Sequence, residues 1–104
     1  MSLRAVLESA ADDAGLAGAV TAAAADLSVT WSLEGRPFAS LDAAGRVASF
    51  RLDPVLAAAA QRTPDTAPSS RGPEWVEFAP GTLDGHAEDR AVAWFVAAAR
   101  RARG

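Results

Sequence analysis

The chain has 104 residues, half of them hydrophobic, no cysteine, and a formal net charge of −3. This length fits one domain over residues 1–104, and the absence of cysteine excludes disulfides, thiolate metal sites and cysteine nucleophiles and favours a reducing, cytoplasmic setting. The net acidity argues against tight nonspecific binding to nucleic acid, because that affinity grows with the number of phosphates that basic side chains neutralise.

The apolar residues of the N-terminal segment recur with the period of a helix, and Ser2 precedes them as a candidate N-cap. Gly15 and Gly18 interrupt this pattern. Two interpretations remain open: one helix weakened at the glycines, or two short helices that meet near Gly15, the second including the alanine-rich residues 17–26. The segment lacks a basic start and an unbroken apolar stretch, so neither a signal peptide nor a membrane span is expected.

Residues 28–52 have the period of strands. Val29, Trp31 and Leu33 alternate with polar neighbours, which predicts a half-buried strand. Two short links that contain glycine divide the remainder into two further strands, and Pro37 must lie at the start or the edge of the first of these because it supplies no donor. Links this short join antiparallel neighbours, so we expect a three-stranded meander.

The second half of the chain predicts a helix, a strand and a final helix. Asp53–Pro54 starts a helix that must end before Pro64, because the carboxylate accepts from free amides and proline fits the first turn. Residues 63–73 are rich in proline and serine and predict a mobile loop. A fourth strand is predicted over residues 74–79. The last helix begins near residues 84–86 and ends in arginines, whose charge suits the helix dipole.

These elements predict a single small α+β domain. A four-stranded, mainly antiparallel sheet is expected, with the N- and C-terminal helices on one face and the shorter helix at an end. The chain has 27 alanines, so the core depends on a short set of larger side chains. The predicted core consists of Leu3, Val6, Leu7, Val20, Leu27, Val29, Trp31, Leu33, Phe38, Leu41, Phe50, Leu52, Leu56, Trp75, Val76, Phe78, Trp94 and Phe95.

No catalytic or metal-binding constellation is predicted. His86 is the only histidine, and the acidic residues beside it fit the capping of a helix whose first turn favours negative charge. Ser69 and Ser70 lie in the predicted loop without a nucleophile motif or an orienting base. No glycine-rich phosphate cradle follows a strand. We therefore expect no enzymatic activity, no cofactor and no metal.

Arginines near the sheet are the candidates for contact with an anion. All ten basic residues are arginine, and residues 36–72 carry a net charge of +2. Within that segment, Arg36, Arg46, Arg51 and Arg71 are the candidate nucleic-acid contacts. Arg46 and Arg51 are expected on opposite faces of one strand, so the four arginines are not expected to form a single patch on the sheet.

The tryptophans have two interpretations. At strand or helix spacing and among apolar neighbours, Trp31, Trp75 and Trp94 are predicted core residues, whereas exposed rings are stacking platforms for bases. Trp75 follows the polar loop and therefore joins the arginines as a candidate nucleic-acid contact. If its ring is in the core, Trp75→Ala is expected to cost about 3–5 kcal/mol; a near-native midpoint in urea indicates a surface ring instead.

The order of these features resembles the MmcQ/YjbR family of small bacterial proteins, over about residues 29–100. The resemblance is carried by the Phe38-Ala39-x-Leu41 strand, the Val47-to-Leu52 strand, the Asp53–Pro54 helix start, and the Trp75 strand followed by an acidic turn and a final helix. It implies a frataxin-like, CyaY/YjbR-like α+β fold, also called double-wing. It also implies DNA binding.

Two functions follow as hypotheses. The first is weak nucleic-acid binding through the exposed face of the sheet and residues 63–73. The second is a protein-interaction module or homodimer, without enzymatic activity, that uses the same face or an edge strand. Salt separates them, because phosphate contacts weaken steeply with salt and an apolar interface changes little. Neither hypothesis involves a membrane.

Overall fold

The helices and strands follow one another in an order close to the predicted one. The computed structural model describes residues 2–16, 20–21 and 28–103. In these residues the elements are α1 (Leu3–Asp13), β1 (Val20–Thr21), β2 (Val29–Leu33), β3 (Arg36–Leu41), β4 (Ala48–Arg51), α2 (Pro54–Ala60), β5 (Thr66–Ser69), β6 (Gly72–Phe78) and α3 (Gly85–Ala102). The strands form one antiparallel sheet in the order β1-β2-β3-β4-β6-β5. The α+β class is confirmed.

The sheet is wider than the predicted four strands. β5 lies inside the segment predicted as a loop and pairs with β6 at one edge of the sheet. An edge strand has one side without ladder partners, so it tolerates Pro68, which lacks a donor. Of the prolines that indicated a loop, Pro64 precedes the edge strand, Pro68 lies in it and Pro73 is the second residue of β6.

The prediction of helix after Gly15 is wrong at Val20–Thr21. These two residues form β1, whose extended backbone pairs with Trp31 and Thr30 of β2. The remainder of that predicted helix, with the predicted core residue Leu27, lies outside the described residues.

Local sequence signals set the ends of α1. The Ser2 hydroxyl accepts from the Ala5 N–H at 3.1 Å, as the predicted N-cap does. After Ala14, Gly15 has a φ of 73°, and the Leu16 N–H donates to the Ala11 carbonyl at 2.7 Å. This is the Schellman ending, in which a left-handed residue closes the helix. The helix therefore stops at the first glycine and does not continue through it.

The connection between β2 and β3 is tighter than predicted. Glu34 and Gly35 have φ values of 52° and 78°, and Leu33 pairs directly with Arg36. Two positive φ values in a two-residue link make the hairpin turn whose twist matches that of the strands. Arg36 and Pro37 consequently belong to β3, with Pro37 near its start.

A β-bulge adds an aromatic side chain to the inner face of the sheet. Trp31 pairs with Ala39 while Ser32 pairs with Pro37, so Phe38 is an extra residue in β3. A bulge re-aims the side chain of its residue. Phe38 is buried, and its ring centroid lies 5.4 Å from that of Phe95.

The core lies between α3 and the inner face of the sheet. The Phe95 ring lies 5.5 Å from Trp31, edge to face, and the Trp94 ring lies 5.2 Å from Phe78 in a similar geometry. α3 packs on β2, β3 and β4, and α1 packs against α3. The prediction that Trp31 and Trp94 are core residues is confirmed. Leu33 and Leu56, which were also predicted as core residues, are only partly buried and pack at the margin of the core.

Trp75 is not a core residue, and this corrects the predicted core. Val76 and Phe78 are two residues apart on β6 and are both buried on the inner face, as core residues. Trp75 alternates with Val76 and therefore lies on the outer face, where it is partly exposed. The Arg71 guanidinium carbon lies 4.7 Å from the centre of the Trp75 ring.

Candidate functional site

Four of the five predicted nucleic-acid contacts lie at one end of the sheet. Arg36 begins β3 and Arg51 ends β4, so these antiparallel neighbours carry both arginines at the same end. Trp75 pairs directly with Arg51 across β4 and β6, and Arg71 stacks on Trp75. Arg46 lies in the β3–β4 link at the other end and is exposed.

Three arginines line one cavity beside the last turns of α3. This arginine pocket has a volume of about 240 Å³ and is lined by Arg36, Pro37, Phe38, Arg51, Ala98, Arg101 and Ala102. The short alanine side chains of α3 leave this space open. Arg101 was not among the predicted contacts, because the sequence explains an arginine in a last helical turn by the helix dipole alone.

One carboxylate orients two of the three arginines. Arg101 Nη2 donates to Glu74 Oε1 at 2.6 Å, and Arg51 Nε donates to Glu74 Oε2 at 3.2 Å. Arg101 Nη1 also donates to the Leu52 carbonyl at 2.8 Å. Arg36 is exposed and forms no hydrogen bond or ion pair with the residues that the structure describes. Three guanidinium groups therefore line the pocket, while the Glu74 carboxylate binds two of them and the Asp53 carboxylate is close enough to Arg101 to interact with its charge.

These contacts change the acid–base behaviour of the pair. Hydrogen bonds from Arg101 and then Arg51 hold the pKa of the Glu74 carboxyl below its ordinary value of 4.5. The hydrogen bond to Glu74 raises the pKa of Arg101. Glu74 is therefore a carboxylate, and Arg101 is a cation, across the neutral pH range.

Glu74→Gln is expected to make stability less sensitive to acid. The Glu74 carboxyl has a lower pKa in the folded protein than in the unfolded chain. Its contribution to the free energy of unfolding is therefore complete above its pKa in the unfolded chain and is lost as the pH falls through its pKa in the folded protein. The glutamine variant has no such proton to take up. Urea midpoints measured from about pH 6 to about pH 3 should fall less steeply for the variant than for the wild type. Equal slopes would contradict the assignment.

His86 and the acidic residues beside it do not form a metal site. Within the described residues, no group of three or more histidine, cysteine, aspartate or glutamate side chains lies close enough together to hold a metal ion. His86 is exposed in the first turn of α3. That turn is capped by Asp84, whose Oδ1 accepts from the Ala87 N–H at 2.9 Å. The acidic residues near His86 thus include the predicted helix cap.

The fold and site together define a small α+β domain with an arginine-lined pocket at one end of its sheet. Comparison with models of protein families, with curated proteins and with solved structures found no match. The resemblance to the MmcQ/YjbR family therefore stays a prediction from the residues that carry it. In the described part of the chain, no helix has both the length and the apolar character needed to cross a membrane.

Proposed function

We propose that the protein binds single-stranded nucleic acid weakly, with a phosphate in the arginine pocket and a base against Trp75. The observation that carries this proposal is the convergence of Arg36, Arg51 and Arg101 on one cavity of about 240 Å³. Guanidinium groups bind phosphate oxygens through paired, charge-assisted hydrogen bonds. Arg36 has its donors free for such a ligand within the described residues.

The neighbouring tryptophan favours a single strand over a duplex. Trp75 lies directly across from Arg51 in the sheet and is partly exposed. Stacking of a base on an aromatic ring contributes about 1–3 kcal/mol, and the bases of a single strand are free to stack in this way. Arg71, which already lies over the ring, adds a positive charge beside it. In a duplex the base faces are covered by their neighbours.

Binding is expected to be weak because the rest of the molecule is acidic. The net charge is −3, and Glu74 occupies two of the three arginines in the pocket. Few phosphates are therefore neutralised, and affinity depends on that number.

The same proposal includes an MmcQ/YjbR-like identity with a frataxin-like fold, for which DNA binding is the implied function. Its support is the three-stranded meander and the Asp53–Pro54 start of α2, where the Asp53 carboxylate accepts from the Leu56 N–H at 2.9 Å. We propose a binding role without catalysis, cofactor or metal. A cytoplasmic location is proposed from the absence of cysteine alone.

Fluorescence anisotropy of a labelled oligothymidylate, at low and at physiological salt, tests the proposal. Wild-type binding should weaken with salt, and the one phosphate held in the pocket corresponds to a slope of log K against log salt of about −0.7. Arg36→Ala should weaken binding several-fold and make this slope shallower. Arg46→Ala is the matched control, because it removes the same charge from the opposite end of the sheet and should leave binding nearly unchanged.

A Trp75→Ala variant and a duplex ligand complete the experiment. Trp75→Ala should weaken binding to the single strand and cost less stability than a core substitution of about 3–5 kcal/mol, because its ring is only partly buried. A labelled duplex of the same length should bind more weakly than the single strand. Absence of binding at low salt, or equal losses in Arg36→Ala and Arg46→Ala, would contradict the proposal.

A second candidate function, a protein-interaction surface, is favoured by a separate groove between α1 and α3, the interhelix groove. This groove has a volume of about 490 Å³ and includes Val6 of α1 with Val92 and Val96 of α3. Val92 is one of the two large hydrophobic residues that are exposed in the described part of the chain. The interhelix groove is also lined by Asp13, Glu88, Asp89 and Arg100. Association through its valines should change less with salt than nucleic-acid binding at the arginine pocket does.

A further inference from the structure

Four polar side chains form a continuous row across the outer face of the sheet. Thr30 of β2 pairs with Ser40 of β3, Ser40 pairs with Ser49 of β4, and Ser49 pairs with Glu77 of β6. Adjacent strands are about 4.8 Å apart, so the row extends over about 14 Å. Its members have consecutive cross-strand positions on one face, which places their side chains next to one another.

The side chains of this polar row form no hydrogen bond or ion pair with the residues that the structure describes. Ser40 and Ser49 are 6% and 7% exposed, yet neither hydroxyl forms a hydrogen bond with a residue that the structure describes. The same is true of the Thr30 hydroxyl and the Glu77 carboxylate. In the described residues, the only fully enclosed side-chain nitrogen or oxygen without a partner is Trp31 Nε1. The Ser40 and Ser49 oxygens therefore still open onto the outer face, where a ligand with several hydroxyl groups can reach them.

The row forms the floor of a groove that is large enough for a small molecule. Its volume is about 290 Å³, close to the lower limit of about 300 Å³ for typical small-molecule sites. One wall comes from the β3–β4 link and the other from the β5–β6 hairpin. The wall residues are Asp42, Ala43 and Val47 on the first side and Ser69, Ser70 and Arg71 on the second.

The chemistry of the groove selects its ligand. Hydroxyl groups both donate and accept hydrogen bonds, while a carboxylate only accepts, so the ligand must offer donors and acceptors close together. The carboxylates of Glu77 and Asp42 outnumber the Arg71 guanidinium, which already lies over Trp75. This excess of negative charge disfavours phosphates and carboxylates, and the mainly polar lining disfavours lipids and aromatic molecules.

We propose that this groove binds a neutral polyhydroxy compound the size of one sugar ring, with Ser40, Ser49 and Glu77 as its main hydrogen-bond partners. The groove lies on the outer face, and the arginine pocket lies beside α3, so the two sites take ligands of different charge. Binding at the groove does not depend on the nucleic-acid proposal.

Titration of the ¹⁵N-labelled protein with D-glucose, D-ribose and myo-inositol, in buffer free of other polyols, tests the groove. At least one probe should give saturable amide shifts confined to the outer-face residues of β2, β3, β4 and β6. Ser49→Val fills the groove with apolar atoms while suiting a strand, and it should weaken binding at least about tenfold. Ser9→Ala on α1 removes a hydroxyl elsewhere and should leave binding unchanged.

Glu77→Gln keeps the proposal testable if Ser49→Val misfolds. It preserves the shape of the side chain but replaces a strong acceptor by a weaker one, so affinity should fall several-fold while the dispersed amide spectrum is retained. Shifts that rise linearly without saturation for all three probes would overturn the proposal. Saturable shifts that persist unchanged in a folded Ser49→Val or Glu77→Gln variant would overturn it as well.

Discussion

Phe95→Ala is expected to lower the free energy of unfolding by about 3–5 kcal/mol. The Phe95 ring is fully buried and makes edge-to-face contacts with Trp31 at 5.5 Å and with Phe38 at 5.4 Å. Removing it forfeits the burial of the ring, both aromatic contacts and the filling of the space between α3 and the sheet. The small alanines around it on α3, which include Ala91 and Ala98, cannot close such a gap.

Urea unfolding followed by tryptophan fluorescence and by circular dichroism measures this loss. Val55→Ala is the matched control, because Val55 is 80% exposed on α2 and its truncation is expected to stay within about 0.5 kcal/mol of the wild type. Since small domains are stable by about 5–15 kcal/mol in total, the Phe95 variant should be close to unfolding at moderate temperature. A midpoint near that of the wild type would show that the core does not depend on this ring.

Glu74→Gln is expected to strengthen binding to single-stranded nucleic acid by about tenfold at low salt. The Glu74 carboxylate now accepts from Arg101 at 2.6 Å and from Arg51 at 3.2 Å, and a ligand phosphate must compete with it. Glutamine removes the negative charge and weakens both hydrogen bonds, so two guanidinium groups become free for the ligand. The local charge of the pocket rises by one unit at the same time.

The anisotropy experiment measures this gain directly, and Glu88→Gln provides its control. Glu88 lies in the first turn of α3, whereas Arg101 lies in the last, so the control changes the net charge equally but far from the pocket. Glu88→Gln should strengthen binding much less than Glu74→Gln. Equal gains from the two variants would assign the effect to net charge and not to competition inside the pocket.

The N-terminal starts of the helices were predicted well because the signals for them are local. Ser2, Asp53 and Asp84 each accept from a backbone N–H three residues ahead, and this chemistry depends only on neighbouring residues. Trp94 and Phe95 of α3 were predicted as core residues, and the buried residues around them recur with the helical period. Such features are present in the sequence before any tertiary contact forms.

Strand faces and edges were predicted less well because they depend on distant partners. Trp75 is hydrophobic like Val76, but it alternates with Val76 and Phe78 and shares the outer face with Glu77; the pairing of β6 with β4 then determines which face packs on α3. The bulge at Phe38 depends on how β3 pairs with β2 and has no signature in the residues themselves. β5 was missed because its proline is typical of loops and of edge strands alike.

The candidate site was predicted in part for the same reasons. Arg36 and Arg51 lie together because the meander is antiparallel, and the short links of the sequence predicted that arrangement. Arg101 and Glu74 join them through contacts between residues 23 and more positions apart, which no local pattern contains. Arg46 was grouped with the others on charge alone, and its place in the β3–β4 link separates it from them.

The two edges of the sheet also bear on how the protein behaves at high concentration. At one edge of the described sheet, β1 consists of only two residues; at the other, β5 carries Pro68. An exposed edge strand can pair with a strand of another chain and so extend the sheet. A very short edge strand, or one with a proline, offers only an incomplete row of backbone hydrogen-bond partners. The protein should therefore resist growth into β-rich fibrils, so that self-association, where it occurs, proceeds through side-chain surfaces.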